Sequence, residues 1–343
     1  MRAVRFHEHG GPEVLRYEDA PDPSARERGV IVRVRACAMN HLDLFQRRGL
    51  ERVRIPLPHI SGADVAGEIL EVGKEVEGLA PGQRVIVQPG LSCGECARCL
   101  AGEDNFCPRY DVLGYQSDGG YAERVAVPAT NVIPLPGRID FVTAAAFPLT
   151  FLTAWHMLVT RARLMAGETV LVVAAGSGVG QAAVQIATRL GARVLATAGG
   201  RAKAAACERL GVFRVIDHYE EDVVARVREM TDGRGVDVVV EHVGQATWDR
   251  AVRCLTRGGR LVTCGATTGH QAALDLRVLF ARLISLLGSY MGSRAELWRV
   301  AELFFRGEVT PVVDRTFPLS ETAQAHRYLE SSSQFGKVVL VVA

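Results

Sequence analysis

The sequence predicts an α/β protein in two parts, a mostly β domain followed by a doubly wound parallel-sheet domain. Three observations carry this reading. The 343 residues exceed one ordinary hydrophobic core and suffice for two. The first third holds short β-like runs separated by Gly and Pro. Beyond about Pro148, strand-like and helix-like segments alternate, the pattern of a parallel sheet with helices on its faces.

In the first part the runs are 30–36 (VIVRVRA), 67–72 (GEILEV) and 84–88 (RVIVQ), with Pro81-Gly82 turning the chain before the last. In the second, 169–174 (TVLVVA) reads as a buried strand leading through a Gly-rich turn into an apolar-periodic helix over 180–190. A strand at 193–197, a helix at 202–210 and strands at 236–241 (VDVVVE) and 260–264 (RLVTC) follow. The tail returns to a helix, a Pro311-led loop and a strand at 338–342, expected to rejoin the first domain. The expected divisions are 1–148, 149–290 and 291–343.

Composition excludes several classes. Hydrophobic residues make up 48% and charged residues 23%, which is globular rather than disordered. Forty basic residues against 38 acidic give +2, without the basic excess of a nucleic-acid-binding chain. Only Lys74, Lys203 and Lys337 are lysines, a bias that reads as codon usage. The N-terminal stretch MRAVRFHEHGGP has no apolar core of a signal peptide, and no uninterrupted apolar run reaches the roughly 18–20 residues of a membrane span. A cytoplasmic protein is expected, in which eight cysteines serve metal or thiol chemistry rather than disulfides.

Cys93, Cys96, Cys99 and Cys107 follow C-x2-C-x2-C-x7-C. Four thiolates on tight turns close a tetrahedron and leave no open position, which suits one structural zinc per chain in a lobe over about 90–110. An iron–sulfur cluster is the rival, because Pro108 follows the last cysteine. Ferredoxin-like runs, however, have a shorter final gap.

The turn after the first parallel strand is Ala174-Ala175-Gly176-Ser177-Gly178-Val179-Gly180. Gly180 fills the last place of G-x-G-x-x-G, while Ala175 and Ser177 replace the first two glycines. A strand, a small-residue turn and a helix N-terminus still let the backbone approach a pyrophosphate. At the end of the second strand, Gly199, Arg201 and Lys203 stand where an NAD site places an acid for the ribose. Small and basic residues there favour a 2′-phosphate, so NADP(H) is the expected cofactor and NAD(H) the alternative.

With the segments GEILEVG (67–73), PGQRV (81–85), DGGYAE (118–123), GVDVVVEHVG (235–244) and GKVVL (336–340), the chain resembles the zinc-type alcohol dehydrogenases of the medium-chain dehydrogenase/reductase superfamily, particularly their quinone-oxidoreductase-like branch. The resemblance implies a GroES-like β domain, a Rossmann NAD(P)-binding domain and a C-terminal return to the first. It also implies cofactor contacts at Thr153, Ser177, Gly178, Val179, Gly180, Val243, Cys264, Gly265 and Ala266.

The family's catalytic zinc sits on a Cys, on the His of Gly-His-Glu, and on a later Cys or acid. The matching positions here are Asn40, the middle of Gly62-Ala63-Asp64, and the neighbourhood of Leu149; Cys37 lies three residues too early. Hydride transfer to a carbonyl, enone or quinone can proceed without such an ion if a hydrogen-bond donor polarises the acceptor. Asn40 is the candidate donor, and Asp43 either orients a neighbour or holds the loop. Two alternatives stand beside this. One is an alcohol dehydrogenase whose catalytic zinc takes His41, His59 or Asp64; the other is a silent cofactor-binding protein, structural or nucleic-acid-binding. Cys207, Cys254 and Cys264 read as plain thiols. The family implies small-molecule substrates and a homodimer or homotetramer, with residues 284–291 (ISLLGSYM) as a strand for pairing.

Overall fold

Strand Gly29–Ala38 organises the first part of the computed structural model, which describes residues 1–50 and 53–343. Its β-branched sequence is buried along nearly all its length. It pairs antiparallel with Asp64–Val72 along one edge. Along the other it pairs with Arg124–Pro128 over its first half and with Lys337–Val341 over its last residues. The sheet extends through Arg84–Val87 to Val132–Pro134, and from Lys337–Val341 to the parallel strand Val313–Pro318. Val32, Val34, Ile69, Val85, Val127 and Leu340 are among the side chains of its core. The first compact unit accordingly comprises Met1–Leu149 and Ser293–Ala343; the second is Thr150–Gly292.

The second unit is built on six parallel strands: Thr169–Val172, Arg193–Ala198, Arg214–Asp217, Val236–Glu241, Leu255–Thr263 and Ser285–Gly288. Counted along the chain, their order in the sheet is 3-2-1-4-5-6. The order reverses between the first and fourth strands, and the loops at their carboxyl ends form the crevice in which such sheets take ligands. Apolar residues of both faces are buried, as parallel sheets require.

Three details differ from the sequence reading. Arg214–Asp217 is absent from it, because a four-residue strand at the sheet edge is only partly buried and leaves a weak pattern. The first helix of this unit begins at Gly178 rather than Gly180, since Ser177 caps it. The fifth strand begins at Leu255 rather than Arg260 and runs through Gly258-Gly259, with a shift of register against its neighbour. Among the described residues no helix is long and apolar enough to cross a membrane.

Candidate active site and metal centre

Register brings three distant residues to one end of the first sheet. Ala38 is paired with Asp64 on one side and Val339 on the other, and the Met39 N–H donates to the Val338 carbonyl at 2.9 Å. Asn40 leaves the central strand and caps helix His41–Arg48; Asp64 and Lys337 each open a flanking strand. Gly336 makes the approach of Lys337 possible. Its φ is +95°, and a Cβ there would lie 2.3 Å from the Val312 carbonyl oxygen.

The three side chains form a closed network. Lys337 Nζ donates to Asn40 Oδ1 at 2.6 Å and to Asp64 Oδ2 at 3.0 Å. Asn40 Nδ2 donates to Asp64 Oδ2 at 2.9 Å, and the Leu149 N–H donates to Asp64 Oδ1 at 2.7 Å. All three side chains are buried. Asp43 holds the loop from beneath, accepting from the Asn40 N–H at 2.7 Å and from the Tyr121 hydroxyl at 2.8 Å. Burial raises the Asp43 carboxyl to about 6, against pull-down by the Asn40 N–H, the Tyr121 hydroxyl and Lys337. The geometry thus gives Asp43 a loop-holding part.

In the second unit most of the expected cofactor residues lie at the carboxyl ends of the strands, in loops and, for Gly178, Val179 and Gly180, in the first turn of the helix that follows. Ser177 Oγ accepts from the Gly180 N–H at 2.9 Å, so the helix Gly178–Arg189 starts with its N-terminal N–H groups ordered. A Cβ on Gly180 would meet the Ala174 carbonyl oxygen at 2.4 Å, which explains glycine at the one motif position retained. At the end of the fourth strand the buried Glu241 carboxylate accepts from the N–H groups of Val243 and Gly244 and from the Thr247 hydroxyl. The Val243 carbonyl then accepts from Thr268, tying this loop to the one that carries Cys264, Gly265 and Ala266. Thr153 comes instead from helix Pro148–Trp155 and is buried.

Gly199 follows the second strand, while Arg201 and Lys203 begin helix Arg201–Glu208. One acid does stand near this turn, and the local sequence does not show it. Asp217, at the end of the third strand, accepts from the N–H groups of Gly200 and Tyr219, which lower its pKa. His218 and Tyr219 lie so close over Gly199 that a Cβ there would be 2.6 Å from the tyrosine ring.

The four cysteines of the first unit converge. Their sulfurs all lie within 4.8 Å of one another, with Cys96–Cys99 and Cys93–Cys107 at 3.5 Å and Cys93–Cys99 at 3.8 Å. A tetrahedron with metal–sulfur distances of about 2.3 Å has edges of about 3.8 Å, so the donor set fits a single ion. These separations are far beyond a disulfide bond. Gly94 and Gly102, both at φ +76°, turn the chain on either side of helix Ala97–Leu100. The lobe is tied down by Asp104, whose carboxylate accepts from the Arg294 N–H at the start of helix Arg294–Arg306.

Residues 26–137 match the family model described as alcohol dehydrogenase GroES-like domain, and residues 178–306 match that described as zinc-binding dehydrogenase. A quinone oxidoreductase from Rattus norvegicus is 31% identical over 350 residues, spanning 100% of this chain and 98% of its own. The chain belongs to the medium-chain dehydrogenase/reductase superfamily. Membership makes it a nicotinamide-dependent oxidoreductase of a zinc-binding family. An acryloyl-coenzyme A reductase from Metallosphaera sedula is 33% identical over 348 residues, 99% of each chain. The solved structure of an NAD-dependent alcohol dehydrogenase is 45% identical, with a TM-score of 0.97 and full coverage of both chains.

Within this medium-chain dehydrogenase/reductase, His59 and Asp64, two of the expected substitute zinc ligands, are engaged otherwise. His59 is buried, with Nε2 3.0 Å from the Gly114 carbonyl oxygen and its ring edge-on to Phe6. His41 is the first residue of its helix and only half-buried. Burial pushes Cys37 well up and Cys207, Cys254 and Cys264 to about 12, so these remain thiols at neutral pH. Among the described residues, the four-cysteine group is the only set of three or more His, Cys, Asp or Glu gathered closely enough to hold a metal. Lys337 escaped the sequence reading. Its signal was its being one of three lysines among 40 basic residues, at a place suited to a compact ammonium rather than a planar guanidinium.

Asp43 gives a pH dependence. Its folded pKa of about 6 lies above the ordinary 3.8, so the fold binds this proton more tightly than the unfolded chain does. The resulting stability is fully present below about pH 4 and lost as pH rises through about 6. Asp43→Asn stays neutral throughout. The unfolding free energy of the native protein minus that of Asp43→Asn should therefore fall by roughly 3 kcal/mol between about pH 4 and 7 in urea titrations. A constant difference would remove the buried-proton assignment.

Proposed function

We propose that the enzyme is an NADPH-dependent reductase of conjugated carbonyls, quinones or aldehydes that needs no catalytic zinc, its zinc being held by Cys93, Cys96, Cys99 and Cys107 alone. The observation that carries this is the Asp64 carboxylate. It stands in the segment of the family's zinc-ligand motif, yet its oxygens are taken by the Leu149 N–H, Asn40 Nδ2 and Lys337 Nζ. An ammonium occupies the electrostatic place of a cation there, and a neighbouring carboxamide supplies a neutral donor. When bound, NADPH supplies hydride from its nicotinamide C4. Asn40 hydrogen-bonds the substrate oxygen and stabilises the negative charge that develops on it.

The loops and the helix N-terminus at the carboxyl ends of the second unit's strands support cofactor binding by Ser177, Gly178, Val179, Gly180, Val243, Cys264, Gly265 and Ala266, with Thr153 as a further contact. Arg201 and Lys203 after Gly199 support recognition of a 2′-phosphate, with His218 and Tyr219 over the same turn. NAD(H) is the second reading, favoured by Asp217 beside Gly200. A panel of enones, quinones, aldehydes and alcohols tests both. Turnover with enones or quinones, and a kcat/KM for NADPH above that for NADH, is expected. Greater efficiency with NADH reverses the cofactor assignment, and binding without any turnover makes this a silent cofactor-binding protein.

Zinc in the four-thiolate lobe is supported by sulfur separations near the tetrahedral edge. Backbone N–H groups of Glu95 and Cys96 pull Cys93 down to about 5, whereas burial and the Cys96 side chain push Cys99 up to about 11. A divalent cation relieves the repulsion of four close thiolates and contributes folding free energy. Thiolates that must stay reduced fit the cytoplasm. Elemental analysis should return about one zinc per chain, lost in Cys99→Ser together with a lowered melting temperature. Two zinc ions per chain would restore the alcohol-dehydrogenase alternative, and iron with acid-labile sulfide would replace zinc.

A second copy of the chain is the expected partner, as homodimer or homotetramer. Ser285–Gly288 ends the parallel sheet, and Leu276, Phe280, Leu283 and Tyr290 around it are more than half exposed. Such an edge is a template for pairing. Light scattering should give a dimer or tetramer, and Phe280→Glu should shift it toward monomer. A native monomer at micromolar concentration would end this reading.

A further inference from the structure

We infer that Lys337 and Asp64 are positioning residues that fix the direction of the Asn40 carboxamide, so that it meets a ligand as a donor and not as an acceptor. This rests on the reading above in which Asn40 faces the substrate oxygen.

The two ends of a carboxamide have nearly the same size but opposite hydrogen-bonding character. Which end faces a reacting oxygen decides whether the dipole stabilises or opposes the charge that develops there. Packing alone does not distinguish them, so the partners must. Here they do so at both ends. Lys337 Nζ, an ammonium that only donates, is 2.6 Å from Asn40 Oδ1. Asp64 Oδ2, on a carboxylate that only accepts, is 2.9 Å from Asn40 Nδ2. Turning the amide over would set donor against donor and acceptor against acceptor at those distances.

Water offers little relief, because Asp64 is 0% and Lys337 3% exposed. The two charges also satisfy each other at 3.0 Å, so the pair orients the amide without adding net charge. Such a buried pair gives little net stability compared with apolar side chains of similar volume, and specificity is the better reason for its presence. Asp43 completes the frame by holding the Asn40 backbone N–H. Asp64 takes up one N–H of Asn40 Nδ2; the other is the group left for a substrate oxygen, and Asn40 at 8% exposure is the most accessible of the three residues.

The test uses the whole enzyme with NADPH and an enone that the native protein reduces. Lys337→Met should lower kcat by about a hundredfold while leaving the KM for NADPH unchanged. Lys337→Arg keeps a donor-only cation and should recover part of the loss. Because Lys337 acts through Asn40, the double variant Asn40→Ala/Lys337→Met should be no slower than Asn40→Ala alone. Losses that multiply would overturn the inference, as would an undiminished Lys337→Met enzyme. Should Lys337→Met fail to fold, the charge-balanced Lys337→Met/Asp64→Asn replaces it in the same cycle. A second readout is independent of turnover. In nitrogen-15-labelled protein the Asn40 side-chain amide protons, identified by their loss in Asn40→Ala, should exchange with solvent at least ~10-fold faster once Lys337 is replaced. Unchanged exchange overturns the orientation even in an active enzyme. Faster exchange of the Asn40 amide on replacing Lys337, in a protein without reductase turnover, supports the orientation and overturns only the proposed reaction.

Discussion

A carboxylate without solvent exposure must be neutralised by its neighbours, and at Asp64 this requirement shapes the end of the first sheet. Leaving such a charge uncompensated costs several kcal/mol. Its three donors come from residues 40, 149 and 337, so the loop, the end of the N-terminal segment and the C-terminal strand are all bound to one side chain. The antiparallel pairing of Lys337–Val341 with Gly29–Ala38 is what makes the ammonium available. Gly336 is the backbone condition for that pairing to begin where it does. The network therefore joins fold and site chemistry in the same atoms.

The second unit solves an analogous problem with backbone N–H groups as the main donors. Glu241 is fully buried at the end of a central parallel strand, and the loop that follows wraps its N–H groups around the carboxylate. That fixes Val243 and, through Thr268, the neighbouring loop. Ser177 does the equivalent for the first loop by capping its helix. Loops held this way present backbone N–H groups and small side chains in a fixed geometry, which would keep the ordering cost of binding a phosphate-bearing cofactor low.

The cysteine lobe depends on neither core. It has short elements and few buried side chains, and an ion bound by the four converging cysteines would supply its cohesion. The Asp104 contact to the first turn of helix Arg294–Arg306 anchors it, with Arg294 Nη2 reaching Ser92 Oγ at 3.3 Å. A lobe stabilised by its own metal can be present whether or not the same fold keeps a second metal for chemistry. In the function proposed for this chain, the two roles separate at Asn40, Ala63 and Leu149.

The amino-acid sequence by itself determined whatever depends on near neighbours. Four cysteines within fifteen residues, a strand–turn–helix at 169–190 and the alternation of strands with helices are local patterns, and each has its counterpart in the structure. Asn40 was legible as a departure from the family's ligand pattern. Arg214–Asp217 was not, because an edge strand buries too little to mark itself. Asp217 beside Gly200 and Lys337 beside Asn40 were invisible for a different reason. Lys337 lies 297 residues from Asn40, and only the register of three neighbouring strands makes them touch. Local spacing places side chains on one turn or one strand face. Electrostatic partnership between strand ends is set by sheet pairing, which only the tertiary structure decides.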